Sequence, residues 1–355
     1  MRARREARAR ARERGAGAPP RGGVARLRGW GGVATMALAC LLATALVLVL
    51  PRLSDGGGTA AAGGSQDVRR MAQAAPTRVE KECRTPEASL RPSPKDGPVL
   101  EAIKKRKVSK LVVGVDQNSY RWGYRDPNKE REQHKERGQL EGFDIDLARE
   151  IAERLLGDRN AVVFRAIPTS QRISAIQNGQ VDMVVRTMTI NCERVDQVAF
   201  STAYFETGQQ ILAPKSSDIT GYDASLRGKR VCSAEGSIAL EALEKEDFGA
   251  DIRTTVPNQL DCLVRLQLGE VDAVLTDGAL AAGQAAQDPT VELKGKPFTR
   301  EYYGVAMMKG ADDLVRRVND VLEDYREDGW KQSYDRWLAA GLGSEARPPK
   351  PKYKD

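Results

Sequence analysis

Short apolar runs alternate with amphipathic segments along most of this chain. Residues 111–115 read LVVGV, a continuous apolar run typical of a strand buried on both faces. Residues 145–156 carry apolar side chains at helical spacing, including Leu147 and Leu155, and Asp144 is the expected N-cap. Strands that alternate with helices of this length predict an α/β fold with a mainly parallel sheet.

The alternation occurs twice, which predicts two lobes. The first series continues with a strand at 161–167, a helix at 170–178 and a strand at 181–186. The second has strands at 229–233, 251–255 and 271–276 and helices at 238–246, 259–269 and 278–286. An apolar strand at 303–308 then leads into a helical stretch at 311–340. We therefore expect lobe one to comprise residues 99–207 and 301–341, and lobe two residues 208–300, with two crossings forming a hinge.

The N-terminal part of the chain predicts export. Residues 33–50 are 18 residues without a charge, at the lower end of what spans a bilayer as a helix. Residues 1–32 are rich in arginine and form a basic tail expected in the cytoplasm, so the rest lies outside. Three fates of this segment stay open: an uncleaved membrane anchor, a cleaved secretory signal, or lipidation at Cys40 within a lipobox-like sequence.

Two further segments lack a periodic apolar pattern. Residues 51–98 are first rich in Gly, Ala and Ser and then in Pro, which predicts a flexible tether followed by an extended lead-in. Residues 342–355, ending in RPPKPKYKD, are expected to be disordered.

The positive charge of the chain is confined to its N-terminus. The formal net charge is +7, but residues 1–30 contain ten Arg and two Glu and contribute +8, which leaves −1 for the remainder. A nearly neutral body argues against a basic groove for nucleic acid. We therefore expect no nucleic-acid partner.

Polar side chains cluster where the strand predicted at 181–186 ends. Thr187, Thr189 and Arg194 follow this strand closely. Hydroxyl groups and a planar guanidinium, which matches a carboxylate two bonds at a time, predict a small pocket for an anion.

This cluster, followed by Phe200 and Ser201, resembles a signature segment of the family 3 extracytoplasmic solute-binding proteins, which capture polar amino acids for ABC importers. Residues 142–148, GFDIDLA, resemble a second signature of that family, in the right order. The resemblance extends over residues 108–340. It implies the periplasmic-binding-protein fold, in which two lobes close on a ligand about a hinge.

The resemblance also implies roles for single residues. Arg194 would hold the α-carboxylate of the ligand, although a surface arginine paired with Glu193 is the plainer interpretation. Thr189 would reach the same carboxylate with its hydroxyl and backbone N–H, and Thr187 would lie beside it. Ordinary strand-end threonines are the alternative for both.

Lobe two supplies the other implied contacts. Asp277 would take the α-ammonium, or serve as the N-cap of the following helix, or both. Gly236 and Ser237 open a helix whose free N–H groups attract an anion. Ile238 departs from the small residue that is usual in the family, which weakens the expected contact at this turn.

Side-chain specificity depends on residues around the first strand and on Arg186. A cation at position 186 would suit a ligand with a side-chain carboxylate, unless Arg186 extends outward past the sheet. Tyr120, Trp122 and Tyr124 form an aromatic set, one of which would cover the ligand.

The cysteines are consistent with an oxidising compartment. Of five, Cys40 lies within the apolar segment, which leaves four outside it that form two disulfides or remain buried thiols. Pairing within lobes, as Cys232–Cys262 and Cys83–Cys192, would leave the hinge free to close, so we predict that scheme.

Enzymatic chemistry has little support in the sequence. It contains no Gly-rich phosphate loop, no G-x-S-x-G motif and no metal-spaced cluster, and its one histidine, His134, lies in a charged segment. We therefore expect neither catalysis nor a cofactor nor a metal. The predicted protein is a monomer that binds glutamate or aspartate first and glutamine next, with an ABC permease as partner. An amino-acid sensor that signals through a membrane partner is the main alternative, and a dehydratase-like enzyme is a weaker one.

Overall fold

The computed structural model describes residues 83–126 and 139–355. Within these two stretches, none of the helices has the length and apolar character needed to cross a bilayer. The predicted basic tail, the apolar segment at 33–50, most of the tether and His134 lie outside the described residues.

Lobe one begins with a short helix and an alternation of strands and helices. Its strands are β1 Leu111–Val115, β2 Asn118–Ser119, β3 Gly123–Arg125, β4 Leu140–Glu141, β5 Val162–Ala166, β6 Met183–Val184 and β7 Ala199–Phe200. Its helices are α1 Pro98–Lys104, α2 Phe143–Leu156, α3 Arg172–Gln177 and α4 Cys192–Gln197, with a 3₁₀ turn at Thr169–Gln171. The first hinge strand, β8 Phe205–Thr207, then leads out of the lobe.

Lobe two repeats this arrangement. Its strands are β9 Gln209–Pro214, β10 Val231–Ala234, β11 Thr255–Val256, β12 Ala273–Asp277 and β13 Val291–Lys294. Its helices are α5 Ile238–Lys245, α6 Gln259–Gln267 and α7 Gly278–Ala285. The chain returns through β14 Glu301–Tyr303 and β15 Ala306–Met307 to helices α8 Asp312–Glu327, α9 Gly329–Trp337 and α10 Ala339–Leu342.

Each lobe is built on a five-stranded mixed sheet. The order in lobe one is β5-β1-β6-β15-β7, and the order in lobe two is β11-β10-β12-β9-β13. The first three strands of each order run parallel, whereas β15 in lobe one and β9 in lobe two pair antiparallel with their neighbours. Each lobe thus has the predicted parallel core, extended by antiparallel strands that the sequence pattern did not separate.

The hinge consists of the two crossings between the lobes. The strands β8 and β14 pair antiparallel, with Glu301 opposite Thr207 and Tyr303 opposite Phe205. The predicted two-lobed fold with two crossings is confirmed. The predicted strand at 303–308 is interrupted at Gly304, where an added Cβ would lie 2.7 Å from Ile190 Cδ1.

The N-terminus of α2 differs from the prediction. The N-cap is Gly142, not Asp144, and its φ of 128° favours glycine. A Cβ at this position would lie 2.4 Å from the carbonyl oxygen of Trp122. Asp144 is buried instead, and it accepts hydrogen bonds from the Tyr204 hydroxyl and from the backbone N–H of Thr187.

The two predicted disulfides are present. Cys83–Cys192 connects the lead-in to the start of α4, and Cys232–Cys262 joins β10 to α6 inside lobe two. The second pair is fully buried in the core of that lobe, whereas Cys83 is exposed.

The prediction of a disordered C-terminal tail is wrong. The N–H of Ser89 donates to Lys352 O and the N–H of Lys354 donates to Ser89 O, both at 3.0 Å. The Tyr353 hydroxyl donates to Glu323 on α8 at 2.7 Å. The tail is ordered because its backbone pairs with the lead-in, a contact between distant segments that local composition does not reveal.

Candidate ligand-binding site

The site lies where the carboxyl ends of both parallel cores meet across the cleft. Thr169 of lobe one donates from its backbone N–H to Pro257 O and from its hydroxyl to Gln259 Oε1 of lobe two, both at 3.0 Å. Polar groups on both walls are buried, so the lobes are closed on each other. Binding at the carboxyl ends of strands is general in open α/β sheets.

Arg194 reaches from lobe one to lobe two. Its backbone N–H donates to Asn191 Oδ1, the side chain that caps the N-terminus of α4. Its buried guanidinium donates to Thr189 O at 2.9 Å and to Gly236 O at 3.1 Å. Burial lowers the pKa of this guanidinium, while Glu241, 3.9 Å away, acts in the opposite sense. A buried guanidinium on backbone carbonyls can exchange these acceptors for a carboxylate.

A second guanidinium, that of Arg172, meets the same carbonyl. Arg172 Nη2 donates to Gly236 O at 3.3 Å, and Nη1 donates to Arg186 O at 3.3 Å. Burial lowers the pKa of Arg172 well below its usual value, and the neighbouring charges of Arg194 and Arg186 lower it further. Three guanidiniums in one buried region produce a positive potential that an anion would relieve.

Gly236 itself can only be glycine. Its φ is 67°, and an added Cβ would lie 2.9 Å from Ser170 Cα on the opposite lobe. The Ser237 hydroxyl caps α5 by accepting from Leu240 N–H at 3.1 Å, and lies 3.2 Å from Ser233 Oγ. Ser237 therefore shapes the turn, while the Gly236 carbonyl forms the contact with the arginines.

Arg186 points into the cleft and is fully buried. It pairs with Asp116 Oδ2 at 2.8 Å and donates to Thr169 Oγ1 at 3.0 Å and to Asn258 Oδ1 of lobe two at 3.2 Å. Arg186 therefore does not extend outward past the sheet, which was the alternative for this side chain. Asp116 neutralises the cation and adds acceptor oxygens to this part of the cleft.

Thr187 and Thr189 lie in the turn that follows β6, and each contacts a buried carboxylate. Thr187 has a φ of 40°, and its N–H donates to Asp144 at 3.0 Å. Burial raises the pKa of Asp144 to about 7. Thr189 bridges to Tyr303, and its hydroxyl donates to Glu301 Oε2 at 2.9 Å.

Asp277 ends β12 and is buried beside a second carboxylate. Gln209 Nε2 donates to Asp277 Oδ1 and to Glu301 Oε2, each at 3.0 Å. Burial raises the pKa of Asp277 to about 7, and the charge of Glu301 adds to this effect. Two carboxylates that share one amide form a negative region, whose charge also acts on Arg194. Asp277 is the N-cap residue of α7, as one alternative predicted, but its side chain makes no capping hydrogen bond there.

The three aromatic residues that follow β1 lie at different depths. Trp122 is buried in the core of lobe one, where its ring packs against Phe143 and Phe205. Tyr120 is partly exposed and packs edge-on against Tyr124, with ring centroids 5.0 Å apart. Two of the three aromatics reach the lobe interface, since Trp122 Nε1 donates to Ala279 O of α7 at 3.3 Å and the Tyr120 carbonyl faces the same helix.

Four cleft residues were missed by sequence reasoning. They are Asp116, Arg172, Gln209 and Glu301. Asp116 had a usable signal, because it directly follows the apolar run of β1 and so lies at the carboxyl end of a central strand. The other three come from helix and hinge positions without a recognisable motif.

Residues 111–340 match the sequence profile of the bacterial extracellular solute-binding proteins, family 3. The matched region contains both sheets, the hinge and every cleft residue described above. The chain belongs to this family. The predicted resemblance is therefore confirmed. The members of this family are binding proteins that lie outside the cytoplasm.

Curated relatives of this solute-binding protein are named for their amino acids. It is 35% identical over 240 residues to the glutamine-binding protein GlnH of Bacillus subtilis, covering 67% of this chain and 84% of the relative. It is 30% identical over 219 residues to the glutamate-binding protein GluB of Corynebacterium efficiens, covering 59% of this chain and 73% of the relative.

Solved structures agree with the fold. An ancestral arginine-binding protein bound to glutamine superposes with a TM-score of 0.58 at 34% identity, covering 66% of this chain and 98% of that chain. The P235GK mutant of the Thermotoga maritima protein ArgBP gives 0.61 at 29% identity, covering 68% and 100%.

Proposed function

We propose that the cleft binds a polar L-amino acid outside the cytoplasm and presents it to an ABC permease. Glutamate or aspartate is favoured as the ligand and glutamine is next. The observation that carries the proposal is that a pair of cations and a pair of carboxylates are buried together in the closed cleft. Arg172 and Arg194 converge on one carbonyl oxygen, and Asp277 and Glu301 share one amide. A zwitterion needs these two regions for its α-carboxylate and α-ammonium.

The side-chain preference rests on Arg186 and Asp116. A ligand carboxylate would accept from Arg186, and such charge-assisted bonds are about twice as strong as neutral ones. A glutamine amide would instead offer its oxygen to Arg186 and its N–H groups to Asp116. Relatives named for glutamine and for glutamate are consistent with both ligands.

The same proposal includes attachment to the membrane through residues 33–50 and action as a monomer. It also includes binding of the amino acid without its chemical conversion. Interactions that bind the ground state of a ligand as strongly as its transition state support recognition and do not accelerate a reaction.

Thermal unfolding of the purified protein with each of the twenty amino acids tests the proposal. A ligand at 100 times its dissociation constant should add about 2.7 kcal/mol, which for a domain of this size raises Tm by roughly 5–10 °C. Arg253→Lys, an exposed change in lobe two, is the matched control and should respond as the wild type does. The absence of any shift with all twenty amino acids would refute the function.

A further inference from the structure

Glu301 is a buried carboxylate at the hinge that accepts hydrogen bonds from three side chains. Its Oε2 accepts from the Thr189 hydroxyl at 2.9 Å and from Gln209 Nε2 at 3.0 Å. Its Oε1 accepts from the Thr299 hydroxyl at 2.8 Å. An ionised carboxylate can only accept, so it fixes the direction of every hydrogen bond around it.

The first consequence concerns Thr189. A threonine hydroxyl has one proton, and here that proton is directed at Glu301. The remaining lone pairs of Thr189 Oγ1 can only accept a hydrogen bond. The hydroxyl therefore suits a donor on the ligand, which differs from its expected contact with the α-carboxylate.

The second consequence concerns Gln209. Its Nε2 donates to both Glu301 and Asp277, which fixes the amide orientation, since the reverse orientation would place oxygen against two carboxylates. Its Oε1 is buried and has no hydrogen-bond partner among the described residues. A buried acceptor without a donor is costly, and a ligand that supplies one removes the cost.

Together these groups form a set of acceptors. Thr189 Oγ1 and Gln209 Oε1 are each left with acceptor capacity, and the Asp277 carboxylate accepts from the same amide. A donor group that carries a positive charge and several N–H bonds fits such a set, and an α-ammonium has three. The α-carboxylate is then left to the arginines.

We propose that Glu301 is a positioning residue that makes this part of the cleft selective for an α-ammonium. It acts by fixing the proton of Thr189 and the amide of Gln209, so that only acceptors face the ligand. This inference rests on the proposed function, because it concerns how the same cleft distinguishes amino acids from their des-amino analogues.

The test compares L-glutamate with glutarate, which lacks only the α-ammonium, by calorimetry on the purified protein. Glu301→Met keeps the approximate length of the side chain and removes both acceptor oxygens. It should weaken glutamate by roughly tenfold or more, the effect of a charge-assisted hydrogen bond, and change glutarate by less than about threefold. Equal weakening of both ligands would mean a merely structural role and would overturn the proposal.

A double-mutant cycle separates positioning from direct attraction. Thr189→Val removes the hydroxyl at constant shape and should lower the glutamate-to-glutarate ratio, and Thr189→Ser should recover most of that loss. In the Thr189→Val background, Glu301→Met should have a smaller effect than in the wild type, because only the part that passes through Gln209 remains. Full additivity of the two changes would assign Glu301 a direct charge effect and overturn the positioning role.

The remaining outcomes also lead to a definite conclusion. If Glu301→Met does not fold, the Thr189 variants alone carry the test, and an unchanged ratio in Thr189→Val overturns the proposal. If the wild type prefers glutamine, glutamine and glutaramate replace the first pair of ligands. A wild type that binds no amino acid refutes the proposed function, whereas binding with an unaltered ratio in the variants refutes only this inference.

Discussion

Replacement of Arg194 is the most direct probe of the cleft, since this side chain connects the lobes and faces the proposed carboxylate position. We expect Arg194→Lys to keep the positive charge but lose the planar fork, so that one of two donated bonds is lost. Arg194→Ala should lose both bonds. The two variants therefore separate the effect of charge from the effect of geometry.

The size of the effect follows from the contacts. One charge-assisted hydrogen bond contributes roughly 1.5–3 kcal/mol, so Arg194→Lys should weaken glutamate at least about tenfold and Arg194→Ala at least about a hundredfold. Arg194→Ala also leaves the carbonyls of Thr189 and Gly236, now 2.9 and 3.1 Å from the guanidinium, without this donor. We therefore expect the unliganded protein to lose about 1–3 kcal/mol of unfolding free energy.

Calorimetry with glutamate measures the first effect, and urea unfolding without ligand measures the second. Arg253→Ala is the matched control, because that guanidinium is exposed and pairs only locally with Asp251. It should leave both quantities within about 0.5 kcal/mol of the wild type. Near-normal glutamate affinity in both Arg194 variants would remove Arg194 from the site and refute the reasoning about the fork.

Three further predictions concern specificity, pH and the lead-in. Arg186→Ala should weaken glutamate more than glutamine in calorimetry, because only glutamate brings a second carboxylate; equal losses would make Arg186 structural. Asp277 has a pKa raised to about 7 from 3.8, so unliganded stability should fall as pH rises between these values. Glutamate affinity should instead increase from pH 6 to 8, because the Asp277 carboxylate ionises in this range. In Asp277→Asn, titrations at each pH should show that the contribution of Asp277 to the stability trend and to the affinity trend is lost. Replacing Cys83 and Cys192 by Ser should lower the unfolding free energy by up to about 4–5 kcal/mol on the chain-entropy estimate, measured by urea unfolding; an unchanged midpoint would mean that the lead-in does not constrain the unfolded chain.

The central strands could be predicted because their apolar runs are local. The run at 111–115 coincides with β1, and helices predicted at 238–246 and 278–286 differ from α5 and α7 only at their ends. The strand predicted at 251–255 is instead a two-residue β11, Thr255–Val256. The start of the predicted strand forms only a single β-bridge, between Asp251 and Arg230. The sequence there is polar and has little periodicity, so it does not indicate this bridge.

The long predicted helix at 311–340 shows the limit of periodicity. Apolar spacing continues through it, but the chain forms three helices, with breaks at Asp328 and Leu338. At Gly329, directly after the first break, an added Cβ would lie 2.6 Å from the ring of Tyr325, so the chain requires glycine there. Periodicity indicates which face is buried, not whether the axis is continuous.

The site divides in the same way. Thr187, Thr189 and Arg194 stand together in sequence, and their spacing was sufficient to predict a pocket. Glu301 reaches the same pocket from far along the chain, separated from Thr189 by 112 residues, and Gln209 reaches it from the strand that follows the first hinge crossing. Their roles depend on which hydrogen bonds the hinge brings together, and no local spacing encodes that.

Both ends of the described chain are fixed to the same lobe. The disulfide from Cys83 enters lobe one at α4, and the C-terminal residues pair with Ser89 beside α8. A mechanical load applied upstream of Cys83 would therefore pass into the body of lobe one and would not stretch the hinge strands. Lobe two would remain free to swing while lobe one is held, so tension on the N-terminal side should leave opening and closing rates nearly unchanged.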